Sequence, residues 1–150
     1  MGRVLYVAVL LGALALPSAG VSAAVPETIG IIRNSAGAAT IDRGGVVLPA
    51  AAGTLLRAGD TLVTGADGSL GIVLRDNSTL SLGPASSLVI KDFRFSPGEG
   101  KYALLARLTR GTMAYLSGLI GKLSPESARF ETPVASIGIR GTRFAVKTDE

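Results

Sequence analysis

After its first two dozen residues, the chain consists of short runs in which hydrophobic and polar residues alternate, and turn-forming residues separate the runs. The clearest alternation lies in residues 69–75 and 79–83, where every second residue is leucine or isoleucine. Successive side chains of a strand point to opposite faces, so this period of two predicts two strands with one buried face each. Asp76-Asn77 lies between them and predicts a tight hairpin turn, because both residues tolerate left-handed backbone.

A change in the alternation predicts a β-bulge in the next strand. Leu88 and Ile90 fall on one face of an extended strand, whereas Phe93 and Phe95 fall on the other. A bulge or bend near Asp92 would reconcile the two sets, because one extra residue reverses the side on which later side chains fall.

Farther along, the spacing of apolar residues becomes helical. Met113, Leu116, Ile120 and Leu123 follow the spacing i, i+3, i+7, i+10 and predict one short helix within residues 111–123, although its glycines weaken it. Strands are predicted around this segment at residues 101–108, 127–132, 134–139 and 143–147. The whole pattern predicts an all-β fold: a compact two-layer β-sandwich or β-roll of short strands with at most one short helix.

The first 24 residues have the layout of a secretory signal peptide. Arg3 is followed by an apolar run and then by small residues. The run is shorter than the roughly 20 apolar residues of a membrane-spanning helix, so no stable membrane span is expected after cleavage. Cleavage is expected after Ala24, or else after Ala23, with an uncleaved anchor as the alternative. The sequence therefore predicts an exported bacterial protein of the periplasm, with a single β domain at residues 25–150.

The chain contains no cysteine and no histidine, which removes most catalytic and metal-binding chemistry. A hydrolase would then need a Ser-Lys pair, a pair of carboxylates or an N-terminal nucleophile. Asp60, Asp67, Asp76 and Asp92 lie in or beside turn sequences, where aspartate is expected to hydrogen-bond the main chain. We therefore predict that the protein is not an enzyme and uses no cofactor or metal.

Positive charge is concentrated in the last third of the chain. Residues 101–150 carry eight basic and four acidic side chains, whereas residues 1–100 carry seven of each. Such a region can face an anionic partner, such as lipid headgroups, an acidic glycan or an acidic protein surface, and solvated charge that keeps the domain soluble is the alternative. No nucleic acid partner is expected, because the protein is predicted to be exported and has few aromatic residues for base stacking.

Three segments together resemble a known family. They read LVTGADGSL at residues 62–70, DNSTLSLGP at residues 76–84 and ETPVASIGIRGTRF at residues 131–144. This combination resembles the FecR domain family, which comprises periplasmic domains of regulators of TonB-dependent uptake and of many stand-alone exported proteins. The resemblance extends over residues 53–146 and implies a stand-alone periplasmic FecR-like protein.

Four residues of the third segment have a structural interpretation. Pro133 would fix the backbone at a strand start, and Gly141 would permit a turn that is barred to residues with a side chain. The hydroxyls of Thr132 and Thr142 would hydrogen-bond nearby main chain.

Arg140, Arg143 and Lys147 are the candidate partner-binding residues. Arg140 and Arg143 flank a two-residue turn, so their side chains are expected to converge at one end of the sheet, with Lys147 further along the strand. Arg140 either bonds a carboxylate that holds the turn or presents its guanidinium to a partner, and the sequence leaves both roles open.

The sequence thus predicts a non-catalytic domain that binds or senses another component of the cell envelope, either a protein or an anionic glycan. The alternatives are a structural or assembly component of an envelope complex and a remnant of TonB-dependent transmembrane signalling. The chain is expected to lack three parts that the resemblance associates with signalling members: a cytoplasmic domain that engages a sigma factor, a retained span and a further C-terminal domain.

Overall fold

The computed structural model describes Gly20, residues 27–139 and residues 143–149, and most of this chain is extended. The strands are β1 (Thr28–Ala36), β2 (Ala39–Arg43), β3 (Val46–Pro49), β4 (Leu55–Arg57), β5 (Thr61–Thr64), β6 (Ser69–Leu74), β7 (Thr79–Leu82), β8 (Ser87–Ser96), β9 (Lys101–Leu116), β10 (Ala128–Glu131), β11 (Ser136–Gly138) and β12 (Arg143–Thr148). Helical structure comprises α1 (Leu119–Leu123) and two single 3-10 turns, Pro97–Glu99 and Pro125–Ser127. The prediction of an all-β fold with at most one short helix is confirmed.

The strands form one curled, largely antiparallel sheet with the order β3-β2-β5-β8-β9-β7-β6-β1-β4. The 16-residue strand β9 lies at its centre. The first half of β9 pairs with β8 and, in parallel, with β10, and its second half pairs with β7 and β12. β11 continues the sheet beside β10. Because β9 belongs to both halves, the sheet curls around a shared hydrophobic core.

Gly111 lies where β9 passes from one half of the sheet to the other. β8 pairs with β9 as far as Arg110, and the pairing with β12 starts at Gly111. The φ angle of Gly111 is 89°, which residues with a Cβ rarely adopt, and a Cβ there would collide with Ser86. The Thr112 N–H donates to the Ser86 hydroxyl at 2.9 Å. This buried serine therefore fixes the path of β9 at the crossing.

The predicted hairpin and its buried face are confirmed. β6 and β7 pair antiparallel, and Asn77 in the turn between them has a φ of 65°. The alternating apolar side chains are all buried; they are Leu70, Ile72, Leu74, Leu80 and Leu82. These side chains form much of the core on this half of the sheet.

The predicted bulge is also present. The register between β8 and β9 shifts between Ile90 and Asp92. As a result, Phe93 is only 6% exposed and joins Leu88 and Ile90 in the core, with Phe95 packed against it. One extra residue therefore keeps apolar side chains on the inner face along the whole strand.

The helix predicted within residues 111–123 is wrong over its first half. Residues 111–116 continue β9, and only Leu119–Leu123 is helical. Met113 and Tyr115 are buried and Leu116 is 41% exposed, so the inward positions follow a period of two. The ladders with β7 and β12 satisfy the backbone groups of this segment, and these long-range pairings outweigh the helical spacing.

The strand predicted at residues 134–139 begins later than expected. β11 starts at Ser136, and residues 132–135 form the loop of the β10–β11 hairpin, with Pro133 and Val134 at its tip. The Thr132 N–H donates to the Ala135 carbonyl oxygen at 2.8 Å and closes this loop. Pro133 therefore lies in the turn and not at a strand start. In the turn, its missing N–H costs no ladder hydrogen bond.

Across the part of the chain that the structure describes, no helix is long and apolar enough to cross a membrane.

Candidate functional site

β12 carries two of the three predicted partner-binding residues. Arg143 and Lys147 are exposed, whereas Phe144 and Val146 between them are half-buried and pack against the core. Arg143 and Lys147 therefore share the outer face of the sheet, about 13 Å apart at 3.3 Å per residue. They lie on one face but do not converge on one point.

The remaining predicted residues of this region are only partly covered by the structure. Arg140, Gly141 and Thr142 lie outside the described residues, so their predicted roles stay predictions. Thr132 and Pro133 lie in the hairpin loop between β10 and β11, where the Thr132 backbone N–H makes the hydrogen bond that closes the loop.

Lys147 lines a surface pocket together with a second cation. The pocket has a volume of about 410 Å³ and contains Arg110 and Thr112 from β9, Lys147 and Asp149 from the end of the chain, and the turn at Pro84 and Ala85. Lys147 Nζ lies 3.7 Å from an Asp149 carboxylate oxygen, and both side chains are largely exposed. Two cations and one carboxylate line this site, so it carries net positive charge. We call it the basic pocket.

The basic pocket exists because β9 continues past residue 108. Thr112 pairs with Lys147 across the β9–β12 ladder, and Arg110 precedes it on the same strand. Arg110 is one of the basic residues of the last third of the chain, but the sequence predicts a strand that ends at Leu108 and so does not place Arg110 beside Lys147. The indication in the sequence is the apolar alternation at Met113 and Tyr115, which competes with the helical spacing of Met113, Leu116 and Ile120.

Arg143 lines a different pocket on the same outer face. This pocket has a volume of about 320 Å³ and is lined by Thr79 and Ser81 of β7, Ala114, Tyr115 and Leu116 of β9, and Arg143. Arg143 pairs with Leu116 in the ladder, and Leu116 is 41% exposed. The guanidinium therefore lies beside apolar surface and hydroxyl groups, which is a setting for an anionic group with an apolar attachment.

Two buried carboxylates, those of Asp60 and Asp76, have structural partners. Asp60 is 1% exposed and accepts from Arg43 Nε at 2.9 Å, Arg43 Nη2 at 2.8 Å and the Arg57 N–H at 2.9 Å. This hydrogen bond to Asp60 raises the pKa of Arg43. Arg43 Nη2 also donates to the Leu55 carbonyl oxygen at 2.9 Å. β2 and β4 lie near opposite ends of the strand order, so the Asp60 contacts join the two margins of the curled sheet.

Asp76 also has hydrogen-bond donors for both of its carboxylate oxygens. It is fully buried and accepts from the Ser78 N–H at 3.1 Å, from the Ser78 hydroxyl and from the Ile120 N–H at 3.1 Å. The Leu119 N–H donates to the Asp76 carbonyl oxygen at 2.7 Å. Asp76 therefore fastens the first turn of α1 to the β6–β7 hairpin, and its lone pairs are occupied by structural contacts.

The described surface near β12 is characterised by exposed cations and hydroxyl groups. In residues 27–139 and 143–149, no group of three or more acidic side chains is placed to hold a metal ion. The accessible groups on this face are guanidinium, ammonium and hydroxyl groups together with the Asp149 carboxylate. The guanidinium, ammonium and hydroxyl groups can donate hydrogen bonds to carboxylate, sulfate or phosphate oxygens.

These features define a small all-β domain whose distinctive surface is a basic strand face. The family model described as FecR protein matches residues 60–150, which is more than half of the chain. The chain therefore belongs to the FecR family, as its sequence motifs predicted. The family is associated with transmembrane signalling in the periplasm.

Neither a curated protein nor a solved structure shows significant similarity to this chain. The matched region begins at Asp60, so β1 to β4 precede it. These strands are nevertheless part of the same sheet, because β1 pairs with β6 and β2 pairs with β5.

Proposed function

We propose that the protein is a non-catalytic periplasmic domain that binds or senses another component of the cell envelope through the outer face of β12. The partner is an envelope protein or a glycan that presents anionic groups. The observation that carries this proposal is the basic pocket, in which Arg110 and Lys147 meet from two strands. Membership of a family associated with periplasmic signalling supports a role in recognition.

The arrangement suits an extended anionic partner better than a single small anion. Arg143 lies about 13 Å from Lys147 along the strand, and each residue lines a separate pocket. A partner that places anionic groups at both pockets would gain from two moderate contacts made at once. Exposed ion pairs are individually weak, so we expect binding that falls steeply as salt is added.

We expect the double substitution Arg143→Ala with Lys147→Ala to weaken retention of envelope material by about tenfold at low ionic strength, because two charge contacts are lost together. The measurement is a pull-down from solubilised envelope with immobilised protein, repeated at rising salt. Added salt should remove most of the difference between variant and wild type.

A matched control is the double substitution Arg33→Ala with Arg94→Ala. It removes the same charge from exposed positions on β1 and β8, so it should leave retention nearly unchanged. Both pairs should keep the wild-type melting temperature, because all four side chains are exposed. If both double variants lose retention equally, the effect comes from net charge alone. If neither variant loses retention, the charges of the β12 face are only solvated and bind no partner.

The proposal includes export as a mature chain of one domain. We expect residues 1–24 to be removed as a signal peptide, so that the periplasmic protein begins at Val25 and consists of one β domain. Intact-mass spectrometry of the protein recovered from the periplasm measures this directly. A mass that still includes Arg3 would instead support the uncleaved anchor.

A further inference from the structure

β12 forms an open edge of the sheet. Its six residues pair with β9, and no described strand pairs with its other side. The N–H and C=O groups on that side point away from β9 and form a template for another strand. Neither proline nor a register shift interrupts β12, two features that often protect edges of this kind.

The inner face of β12 is incompletely covered. Phe144 and Val146 pack against the core but are only half-buried, whereas their ladder partners Tyr115 and Met113 on β9 are each 1% exposed. Phe144 lies 5.0 Å from Phe130 and 5.6 Å from Tyr115, measured between ring centroids. A further strand beside β12 would add apolar side chains next to these two and complete their burial.

The charges along this edge match those of a second copy of the same strand. The sequence from 143 to 149 places cations at Arg143 and Lys147 and an anion at Asp149, all three on odd positions. Odd positions of β12 are on the outer face. When two antiparallel copies pair about Val146, Arg143 of each copy lies directly opposite Asp149 of the other, and Lys147 lies opposite Ala145.

We propose that the open edge of β12 pairs with β12 of a second copy of this chain, antiparallel and with Val146 on the twofold axis. The two sheets become one continuous sheet across the dimer. Two Arg143–Asp149 contacts form on the outer face, and Val146 meets Val146 on the inner face, with Phe144 opposite Thr148 at each side. An interface formed by one strand edge is small, so the dimer is weak and depends on protein concentration.

Neighbouring registers are disfavoured by charge. With Ala145 on the axis, Arg143 faces Lys147 twice. With Lys147 on the axis, the two lysines face each other. Like charges directly opposite one another destabilise a strand pair, so these two registers are disfavoured relative to the register about Val146.

The dimer would bring the basic surfaces of two copies together. The formation of the dimer does not depend on the proposed function. In this register the two Lys147 side chains are diagonal neighbours across the axis, about 7–8 Å apart. An anionic ligand at the axis would therefore contact one Lys147 from each copy, and its binding would favour dimerisation.

Single cysteines test the register, because the chain has none of its own. Val146→Cys places two thiols directly opposite each other, within the range in which a disulfide forms. Under mild oxidation this variant should crosslink about tenfold faster than Ala145→Cys or Lys147→Cys, whose thiols are offset in the proposed register. Val47→Cys, on the exposed edge strand β3, is the control for pairing at another edge.

Charge reversal tests the contacts. Arg143→Asp and Asp149→Arg should each weaken the dimer by about tenfold in sedimentation equilibrium, since each change acts twice per dimer. The protein that carries both changes should return to within about twofold of the wild type, because the pair is restored with its sign reversed. The melting temperature of each variant, measured at low protein concentration, separates loss of pairing from loss of fold.

Three results would overturn the proposal: a wild-type protein that is monomeric at about millimolar concentration, faster crosslinking at residue 145, 147 or 47 than at residue 146, or a double charge reversal that fails to restore pairing. Loss of envelope binding in Arg143→Ala with Lys147→Ala bears on the proposed function, whereas crosslinking of Val146→Cys bears on the dimer alone.

Discussion

Replacing Asp60 by asparagine is expected to lower the free energy of unfolding by about 3 kcal/mol, the lower end of the range for breaking a buried ion pair. The carboxylate of Asp60 accepts two hydrogen bonds from Arg43 and one from the Arg57 N–H. Asparagine has nearly the same shape but turns one of the two oxygens into an N–H donor, which then faces a guanidinium that can only donate. The Arg43 side chain is 25% exposed, so water can solvate part of its charge and keep the cost below the upper end of the range.

The consequence extends beyond one contact, because Arg43 also holds the Leu55 carbonyl oxygen. A guanidinium that loses Asp60 is no longer fixed beside β4, so the two margins of the curled sheet lose a direct link. We therefore expect faster hydrogen exchange at the backbone amides of β4 than in the wild type, in addition to the lower stability.

Urea denaturation followed by far-ultraviolet circular dichroism measures the change. Asp92→Asn is the matched control, because Asp92 is exposed at the bulge of β8 and should shift the midpoint little. In a double-mutant cycle, Asp60→Asn should cost much less when Arg43 is already alanine. If Asp60→Asn unfolds at the same urea concentration as Asp92→Asn, the ion pair does not hold the margins of the sheet.

Local features of the fold could be predicted from the sequence because they depend on residues close together in the chain. The β6–β7 hairpin follows from alternating leucines and isoleucine around Asp76-Asn77, and Asn77 takes the left-handed conformation that the turn needs. The bulge near Asp92 follows from a parity change within one strand. In both cases the pattern and the structure it determines span about a dozen residues.

β9 could not be predicted in full because its second half is stabilised by strands far away in sequence. Met113, Leu116 and Ile120 fit a helical period, but Leu116 lies on the outer face and Ile120 belongs to α1. The extended state of residues 111–116 depends on ladders to β7 and β12, about 30 residues away on either side. Spacing within a window of about 11 to 18 residues carries no information on such partners.

The contacts of the buried carboxylates could also be predicted only where the partner lies nearby in the sequence. The position of Asp76 in a turn sequence predicts a hydrogen bond to the main chain, and its bond to the Ser78 N–H confirms that role. Its contact with the Ile120 N–H joins residues 44 positions apart, and no local pattern predicts it. The basic pocket likewise depends on the pairing of Thr112 with Lys147, so composition could locate positive charge in the last third but could not place Arg110 beside Lys147.

Replacing Gly118 by alanine is expected to destabilise the protein by about 3 kcal/mol, at the upper end of the usual cost of overpacking. Gly118 is buried, and its φ of −102° lies outside the left-handed region that favours glycine, so the main cost is the contact of the added Cβ with its neighbours. A Cβ at this position would overlap the Asp76 carbonyl oxygen and the Ser78 backbone nitrogen. Both obstacles are main-chain atoms, which cannot move aside by a change of rotamer.

Relaxation around the new methyl group is restricted by the hydrogen bonds that already meet there. The Leu119 N–H donates to the Asp76 carbonyl oxygen at 2.7 Å, and the Ile120 N–H donates to its carboxylate at 3.1 Å. Moving α1 away from the hairpin would break these bonds and leave the buried Asp76 carboxylate with fewer donors. The strain therefore cannot be relieved without a second loss, which is why we expect a large effect from one methyl group.

Thermal and urea denaturation of Gly118→Ala measure the loss, with Gly98→Ala as the matched control. Gly98 lies in the exposed turn between β8 and β9, where an added Cβ meets nothing within 4 Å. The control should stay within about 0.5 kcal/mol of the wild type. If Gly118→Ala folds too poorly for a denaturation curve, Asp76→Asn tests the same contact with a smaller perturbation. This substitution weakens the bond to the Ile120 N–H without adding volume. Wild-type stability in both Gly118→Ala and Asp76→Asn would show that α1 is not fastened to the hairpin through Asp76.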